Sequence, residues 1–201
     1  MAVLPLVILA DASGSMAQEG KIEALNEALR ELVRGCACRP GPHQVYLALI
    51  AFGGEGPRVV VALTPAARAH WADLQAGGST SLGAALRVAA NLLTNAAAQP
   101  DLLQPVLVLL SDGAATDDWT TALAALAASY PASHAQRLAV AIGPDADLDQ
   151  LALFVSGGGA ERVIANGLEQ DVIGFCEDLP LRPGEPANPD MLGPVDPAVL
   201  A

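Results

Sequence analysis

Three oxygen-bearing side chains alternate along one short stretch near the N-terminus. Asp11, Ser13 and Ser15 follow an apolar run that ends at Ala10, and a helical pattern begins near Lys21. This places them in a strand-to-helix turn, which suits a hard divalent cation because such ions prefer oxygen ligands. The same residue types also serve as ordinary turn and capping residues, so the rest of the chain has to distinguish the two interpretations.

Two further loops carry oxygen donors of the same kind. Thr80 lies in a glycine- and serine-rich loop at residues 77–81, and Asp112 follows the apolar run at residues 106–110. Right-handed crossovers bring the carboxyl ends of parallel strands to one edge of a sheet, so we expect the loops of Asp11 and Asp112 to lie there together. The loop of Thr80 lies beside these two loops if the helix that follows it packs between them.

The elements that must position these loops alternate between strands and helices. Short apolar runs predict buried strands, and apolar residues spaced three and four apart predict amphipathic helices. The predicted strands cover residues 3–10, 45–52, 59–63, 106–110, 137–142 and 162–165, and the predicted helices cover residues 21–34, 82–93, 116–130, 147–155 and 168–179. The alternation predicts an α/β domain with a doubly wound, Rossmann-like, mainly parallel sheet of about six strands and helices on both faces.

Local turn and cap residues refine this prediction. The connection before residues 59–63 is short and rich in glycine, which indicates a hairpin and therefore one antiparallel strand at an edge of the sheet. Gly35 is the expected end of the first helix. Thr80 or Ser81 is the expected N-cap of the helix that follows them, and Asp117 is a candidate cap for the next helix.

The composition excludes several classes of partner and location. The chain has 201 residues, of which 52% are apolar, and a formal net charge of −12. This charge argues against nucleic acid and anionic membranes as partners, because both reward clustered lysine and arginine. Three cysteines without framework spacing indicate reduced thiols and a cytoplasmic protein. No apolar stretch approaches the roughly 20 residues of a membrane span, and no basic region precedes the apolar N-terminus, so we expect neither an anchor nor a signal peptide.

Residues 1–179 are expected to form the folded domain. In residues 180–201, prolines recur among glycine and acidic residues. Such a pattern forms neither a regular helix nor an interior strand, so we expect a flexible or extended acidic tail.

In its three loops the chain resembles the von Willebrand factor type A family and that family's metal-ion-dependent adhesion site. The resemblance covers residues 2–179. It is carried by Asp11-x-Ser13-x-Ser15, by Thr80 within Gly78-Ser79-Thr80-Ser81-Leu82-Gly83, and by Asp112-Gly113 after an apolar strand.

The resemblance implies a role for each of the five oxygen donors. Ser13 and Ser15 would bind the cation through their hydroxyls, and Thr80 directly or through water. Asp11 and Asp112 would act mainly through bridging waters. The implied ion is Mg²⁺, although Mn²⁺ or Ca²⁺ could take its place, and it would attract the Asp or Glu side chain of a partner protein because its ligands are largely neutral.

Two longer stretches are similar to one bacterial branch of the family, the tellurite-resistance-associated type. They are residues 80–86 and residues 111–119. This similarity implies an interaction role in a cytoplasmic stress-response or signalling module, with a kinase, a phosphatase or an ATPase as the partner. Asp117, Asp118 and Trp119 would then form a rim that contacts the partner, although helix-terminal charges and a packed aromatic are the ordinary structural interpretations.

The main hypothesis is therefore a non-enzymatic, metal-dependent protein-interaction domain. An alternative is a Mg²⁺-dependent phosphohydrolase, because an aspartate follows the first strand. Such an enzyme needs a second carboxylate near Asp11 and a basic residue for the transferred phosphate, whereas position 13 is serine and Lys21 is the only lysine. A third hypothesis is a scaffold with a vestigial metal site, which the complete set of five donors argues against.

Overall fold

Within the described residues, five strands and four α-helices follow one another along the chain. The computed structural model describes residues 2–38, 43–97, 101–113, 115–160 and 163–164. The strands are β1 (Ala2–Asp11), β2 (His43–Phe52), β3 (Arg58–Pro65), β4 (Val106–Ser111) and β5 (Gln136–Ala141). The α-helices are α1 (Lys21–Cys38), α2 (Leu82–Ala96), α3 (Trp119–Ala128) and α4 (Leu148–Phe154), and single 3₁₀ turns lie at Gly14–Ala17, Ala66–Arg68 and Ala132–His134.

β1 lies at the centre of the sheet. The strand order is β3-β2-β1-β4-β5, with β1 parallel to both β2 and β4, and β4 parallel to β5. β3 pairs with β2 in the antiparallel direction and forms one edge. The prediction of a doubly wound, mainly parallel sheet with an antiparallel edge strand is confirmed. The direction of winding reverses between β1 and β4, which is where such folds bind ligands.

The sheet has five strands among the described residues rather than the predicted six. In the segment predicted as a sixth strand, residues 163 and 164 are described, and Ile164 forms an isolated bridge to β5. Its amide donates to the carbonyl of Ala139 and its carbonyl accepts from the amide of Ala141, both at 2.9 Å. Two hydrogen bonds at one residue make a bridge and not a ladder, so the sheet of the described residues has five strands and the estimate of six is wrong for them.

Several helix boundaries differ from their predictions, and two of these differences have a visible cause. α1 continues through Gly35 into a further turn, because Cys36 is buried in the core and extends the apolar face of the helix. α3 begins at Trp119 rather than at residue 116, because Asp118 caps the helix there. In both cases a tertiary contact or a side-chain cap overrides the local propensity.

Several predictions concern segments at the C-terminal end. The predicted helix at residues 168–179, the domain boundary at residue 179 and the tail at residues 180–201 lie outside the described residues. Among the described helices, none combines the length and the apolar character that crossing a membrane requires.

β1 is buried on both faces, and helices cover each face of the sheet. Leu6 and Ile8 pack with α1 on one side, whereas Val7 and Leu9 pack with α2 and α3 on the other, and all four side chains are fully buried. Burial of this apolar surface is the main source of stability in such a domain. The carboxyl ends of β1 and β4 are thereby held in place, so the loops that leave them begin from fixed positions.

Candidate metal centre

Asp11, the last residue of β1, is fully buried and fixed through both of its carboxylate oxygens. Oδ1 accepts a hydrogen bond from the amide of Ser13 at 2.9 Å, and Oδ2 accepts one from the hydroxyl of Ser111 at 2.6 Å. Burial raises the pKa of the Asp11 carboxyl above its ordinary value, against the lowering effect of these hydrogen bonds. A nearby cation would favour the ionised form, so this carboxylate is a position at which positive charge is stabilised.

Two serine hydroxyls lie next to each other in the turn after Asp11. The Oγ atoms of Ser13 and Ser15 are 3.1 Å apart, and Ser13 precedes the 3₁₀ turn that contains Ser15. Met16, in the same turn, is fully buried and anchors it in the core on the α1 side of the sheet. The stretch therefore presents neutral oxygens at a fixed separation, as a site for a hard cation requires.

The loop that carries Thr80 is joined to the first loop through backbone groups. The amide of Gly77 donates to the carbonyl of Ala12, and the amide of Gly14 donates to the carbonyl of Gly78, both at 2.9 Å. The Thr80 side chain is only 5% exposed. These reciprocal bonds hold the first and second predicted donor loops side by side.

The third loop closes against the other two. The carbonyl of Thr80 accepts hydrogen bonds from the amide and the hydroxyl of Thr116, at 2.9 and 3.0 Å. Ser111 ends β4, and its hydroxyl reaches across to Asp11. Asp112 is the next residue and is 5% exposed. The structure thus brings the loops of all five predicted donors together at the carboxyl ends of β1 and β4.

Lys21 belongs to this cluster, although the sequence reasoning did not assign it there. Its ammonium lies 3.3 Å from Oδ2 of Asp112 and 2.7 Å from Oδ1 of Asp145. Burial lowers the pKa of Lys21, but the hydrogen bonds to Asp145 and Asp112 outweigh it, so the pKa lies above its ordinary value. The hydrogen bond from Lys21 in turn lowers the pKa of Asp145. The available sequence signal was a lone lysine at the start of a helix, where the helix dipole disfavours a cation.

The residues of the predicted partner-contact rim have structural contacts of their own. Asp117 accepts hydrogen bonds from the amides of Gly83 and Ala84, at 2.9 and 3.0 Å, and so caps α2, whose own N-cap residue makes no side-chain hydrogen bond to the helix. Asp118 caps α3. Trp119 is 6% exposed and packs in the core beside α2, which leaves its ring little surface for a partner. Partner contact through Asp117 and Asp118 stays a prediction.

The donor set as a whole suits a hard divalent cation. It combines two carboxylates with three hydroxyls, on loops that are bonded to one another. In the part of the chain that the structure describes, no three His, Cys, Asp or Glu side chains group closely enough to hold an ion by themselves. A cation at this edge of the sheet would therefore depend on the hydroxyls, and oxygen ligands of this kind suit Mg²⁺, Mn²⁺ or Ca²⁺.

The fold and this composite site define the class of protein. The sequence profile of the von Willebrand factor type A domain matches residues 6–172, which is most of the chain. The chain therefore belongs to the von Willebrand factor type A domain family, as the resemblance in its three loops implied. The finer similarity to the tellurite-resistance-associated branch stays a prediction.

Solved structures with this fold come from distant organisms. One is proximal thread matrix protein 1 from the mussel byssus, with zinc in its metal-ion-dependent adhesion site (MIDAS) motif. It is 17% identical, with a TM-score of 0.63 over 89% of this chain and 48% of that one. An aerotolerance-related membrane protein from Bacteroides fragilis is 15% identical, with a TM-score of 0.60 over 88% of this chain and 98% of that one. The manganese-loaded TRAP protein of Plasmodium vivax is 16% identical, with a TM-score of 0.51 over 92% of this chain and 65% of that one.

At these identities the likeness establishes the fold alone. The chain spans about half the length of the mussel protein, 48% of it. No curated protein matches its sequence. The activities and partners of the whole proteins belong to them, and the function of this chain has to be inferred from its own site.

Proposed function

We propose that this domain is a non-enzymatic, metal-ion-dependent protein-interaction module. In this proposal Asp11, Ser13, Ser15, Thr80 and Asp112 hold a divalent cation, and an aspartate or glutamate of a partner protein completes its coordination. The observation that supports it most directly is the set of hydrogen bonds that joins the three donor loops at the carboxyl ends of β1 and β4. A cation held there supplies the positive charge that attracts the partner's carboxylate.

Mg²⁺ is the proposed ion, with Mn²⁺ and Ca²⁺ as the ions to compare with it. The donor set holds two carboxylates, and Mg²⁺ is commonly bound through one or two carboxylates while it keeps several waters. Ser15 is half-buried and Gly14 is exposed, so the centre opens to solvent beside the first loop. A carboxylate from outside can therefore approach it from this side.

The same geometry speaks against the alternative of a Mg²⁺-dependent phosphohydrolase. Both oxygens of Asp11 accept hydrogen bonds and the side chain is fully buried, so neither oxygen is poised to attack a phosphate. The only lysine of the chain is held by Asp112 and Asp145 instead of facing a transferred phosphoryl group. A phosphatase assay with Mg²⁺ checks this point, and turnover that disappears in Asp11→Asn would overturn the proposal of a non-enzymatic domain.

The proposed partner is a protein of the same bacterial stress-response or signalling module, such as a kinase, a phosphatase or an ATPase. The similarity of residues 80–86 and 111–119 to the tellurite-resistance-associated branch supports this part of the proposal. The net charge of −12 disfavours nucleic acid and anionic membranes as partners. The three cysteines of the sequence lack the spacing of a disulfide framework, which agrees with a cytoplasmic location.

Peptide binding with and without the cation tests the proposed function. Peptides that carry one aspartate or glutamate would be compared with the same peptides carrying asparagine or glutamine, on immobilised protein with Mg²⁺ and after EDTA. We expect the carboxylate peptides alone to bind, and only in the presence of Mg²⁺. Binding that survives EDTA, or equal binding of the amide peptides, would contradict the proposal.

A further inference from the structure

Lys21 occupies a position that lysine normally avoids. It is the first residue of α1, where the aligned amide dipoles disfavour positive charge. It is also only 3% exposed, although an ammonium group is costly to bury. Its two carboxylate partners are Asp112, after β4, and Asp145, after β5. The placement is therefore stabilised by charges that only the folded chain brings to it.

The end of β5 is shaped around the Lys21 side chain. Gly143 has a φ of +91°, and a Cβ at this position would lie 2.6 Å from Cε of Lys21 and 3.2 Å from its Cδ. Asp145 follows two residues later and contacts the ammonium at 2.7 Å. Gly143 leaves space for the aliphatic part of the Lys21 side chain, and the carboxylate of Asp145 binds its ammonium group. The fold therefore accommodates the whole side chain beside the proposed centre.

Lys21 changes the charge balance of that centre. Asp11 and Asp112 carry the two negative charges that would match a divalent cation, and the ammonium adds one positive charge 3.3 Å from Oδ2 of Asp112. Asp145 offsets this charge less effectively, because its side chain is 61% exposed and is screened by water.

We propose that Lys21 keeps the cation-loaded centre positively charged, and so raises its affinity for a carboxylate ligand at the expense of its affinity for the cation. This inference rests on the proposed function and deepens it, because it names the residue that makes the centre prefer an anionic ligand to a neutral one. Lys21 acts here through the charge of the centre and not as a ligand of the ion.

Two substitutions change the net charge at the centre in opposite directions. Lys21→Met keeps an apolar stem without the ammonium, so the cation affinity rises about threefold or more and the carboxylate affinity falls by a similar factor. Asp145→Asn leaves the ammonium without its exposed counter-charge, so the cation affinity falls and the carboxylate affinity rises. Asp73→Asn is the matched control, because Asp73 is 60% exposed and its ion pair, at 2.7 Å, is with Arg30 instead of with a residue of the proposed centre.

Mn²⁺ and acetate are suitable probes for the test. Calorimetry measures the Mn²⁺ affinity, and the water-proton relaxation of the Mn²⁺-loaded protein, titrated with acetate, measures the carboxylate affinity. The proposal is supported when Lys21→Met binds Mn²⁺ more tightly and acetate more weakly than the wild type, and Asp145→Asn does the reverse.

The proposal is overturned when Lys21→Met lowers both affinities, which is the result expected if Lys21 only orients Asp112. It is also overturned when Lys21→Met changes neither affinity. Should Lys21→Met fail to fold, affinities in Asp145→Asn that equal those of Asp73→Asn overturn it. A wild-type protein that binds no Mn²⁺, or binds Mn²⁺ but no acetate, refutes the proposed function itself, which separates the two failures.

Discussion

The hydroxyl of Ser111 donates a 2.6 Å hydrogen bond to the carboxylate of Asp11, and this bond joins the ends of two neighbouring strands. Ser111 ends β4 and Asp11 ends β1, so the bond lies where the winding of the sheet reverses. The same hydroxyl oxygen accepts the amide of Gly113 at 2.9 Å. Ser111 thus fixes one aspartate of the proposed centre and the loop that carries the other, Asp112.

Ser111→Ala should destabilise the domain and weaken cation binding together. Without the hydroxyl, a buried oxygen of Asp11 and the buried amide of Gly113 lose their partner, which lowers the free energy of unfolding by about 1–3 kcal/mol. Urea denaturation measures the stability, and Mg²⁺ titration measures the affinity. Ser133→Ala, which removes an exposed hydroxyl, is the control. Equal stability of the two variants would show that the hydrogen bond from Ser111 to Asp11 contributes nothing to the free energy of unfolding.

Asn26 holds the extended segment that leads to Thr80. Its side-chain amide donates to the carbonyl of Leu74 at 3.0 Å, and its carbonyl oxygen accepts from the amide of Leu74 at 2.8 Å. Asn26→Ala leaves both buried backbone groups unpaired, so we expect a loss of about 2–3 kcal/mol in the free energy of unfolding. Hydrogen exchange at residues 74–80 should become faster than in Asn91→Ala, a substitution at an exposed position of α2. The same exchange rates in both variants would refute this role.

The close approach of Gly54 and Gly78 packs the loop of Thr80 against the connection between β2 and β3. Gly78 has a φ of +70°, and a Cβ there would lie 2.4 Å from Cα of Gly54, whereas a Cβ on Gly77 would meet no atom within 4 Å. Gly78→Ala should therefore cost about 1–3 kcal/mol and displace the loop of Thr80, so cation binding weakens. Gly77→Ala should change little. Thermal unfolding and Mg²⁺ titration compare the pair, and similar behaviour of both would show that the close approach is dispensable.

Asp118 should make the stability of the domain depend on pH in acid. Its carboxylate accepts hydrogen bonds from the amide of Thr121 and the hydroxyl of Thr120, and these hold its pKa below the ordinary value of 3.8. Since the folded-state pKa is the lower one, the stabilisation is complete above the unfolded-state pKa and is lost as the pH falls through the folded-state pKa.

Asp118→Asn keeps a capping side chain without the charge and isolates this effect. Unfolding midpoints of the wild type and the variant would be measured between about pH 2 and pH 6. We expect the wild type to be the more stable at the upper end and the difference to shrink in acid. A difference that stays constant over this range would contradict the assigned pKa shift.

Local patterns predict the framework of this domain well. β1 and β4 are visible as short apolar runs because their side chains are buried on both faces, and the predicted boundaries lie within a residue of the observed ones. The antiparallel edge strand β3 follows from the short glycine-rich connection before it. The three donor loops follow from their positions at the ends of these elements.

The contacts that complete the candidate centre depend on residues far apart in the chain. Lys21 meets Asp145 across 124 positions, and Asp11 meets Ser111 across 100 positions. No periodicity encodes such pairs, because they arise from the order in which the strands join the sheet. Gly35 shows the same limit at a helix end, where the burial of the neighbouring Cys36 decides whether the helix continues.

Titration of the metal-free domain with Mg²⁺ tests the central claim most directly. Calorimetry on the wild type, Thr80→Ala and Thr94→Ala compares a threonine of the proposed centre with an exposed threonine on α2. We expect the wild type and Thr94→Ala to bind Mg²⁺ equally, and Thr80→Ala to bind it about tenfold more weakly or worse while it keeps its circular dichroism spectrum. Equal binding by all three proteins, or no binding by the wild type at millimolar Mg²⁺, would contradict the claim, and the second result would favour a scaffold with a vestigial site.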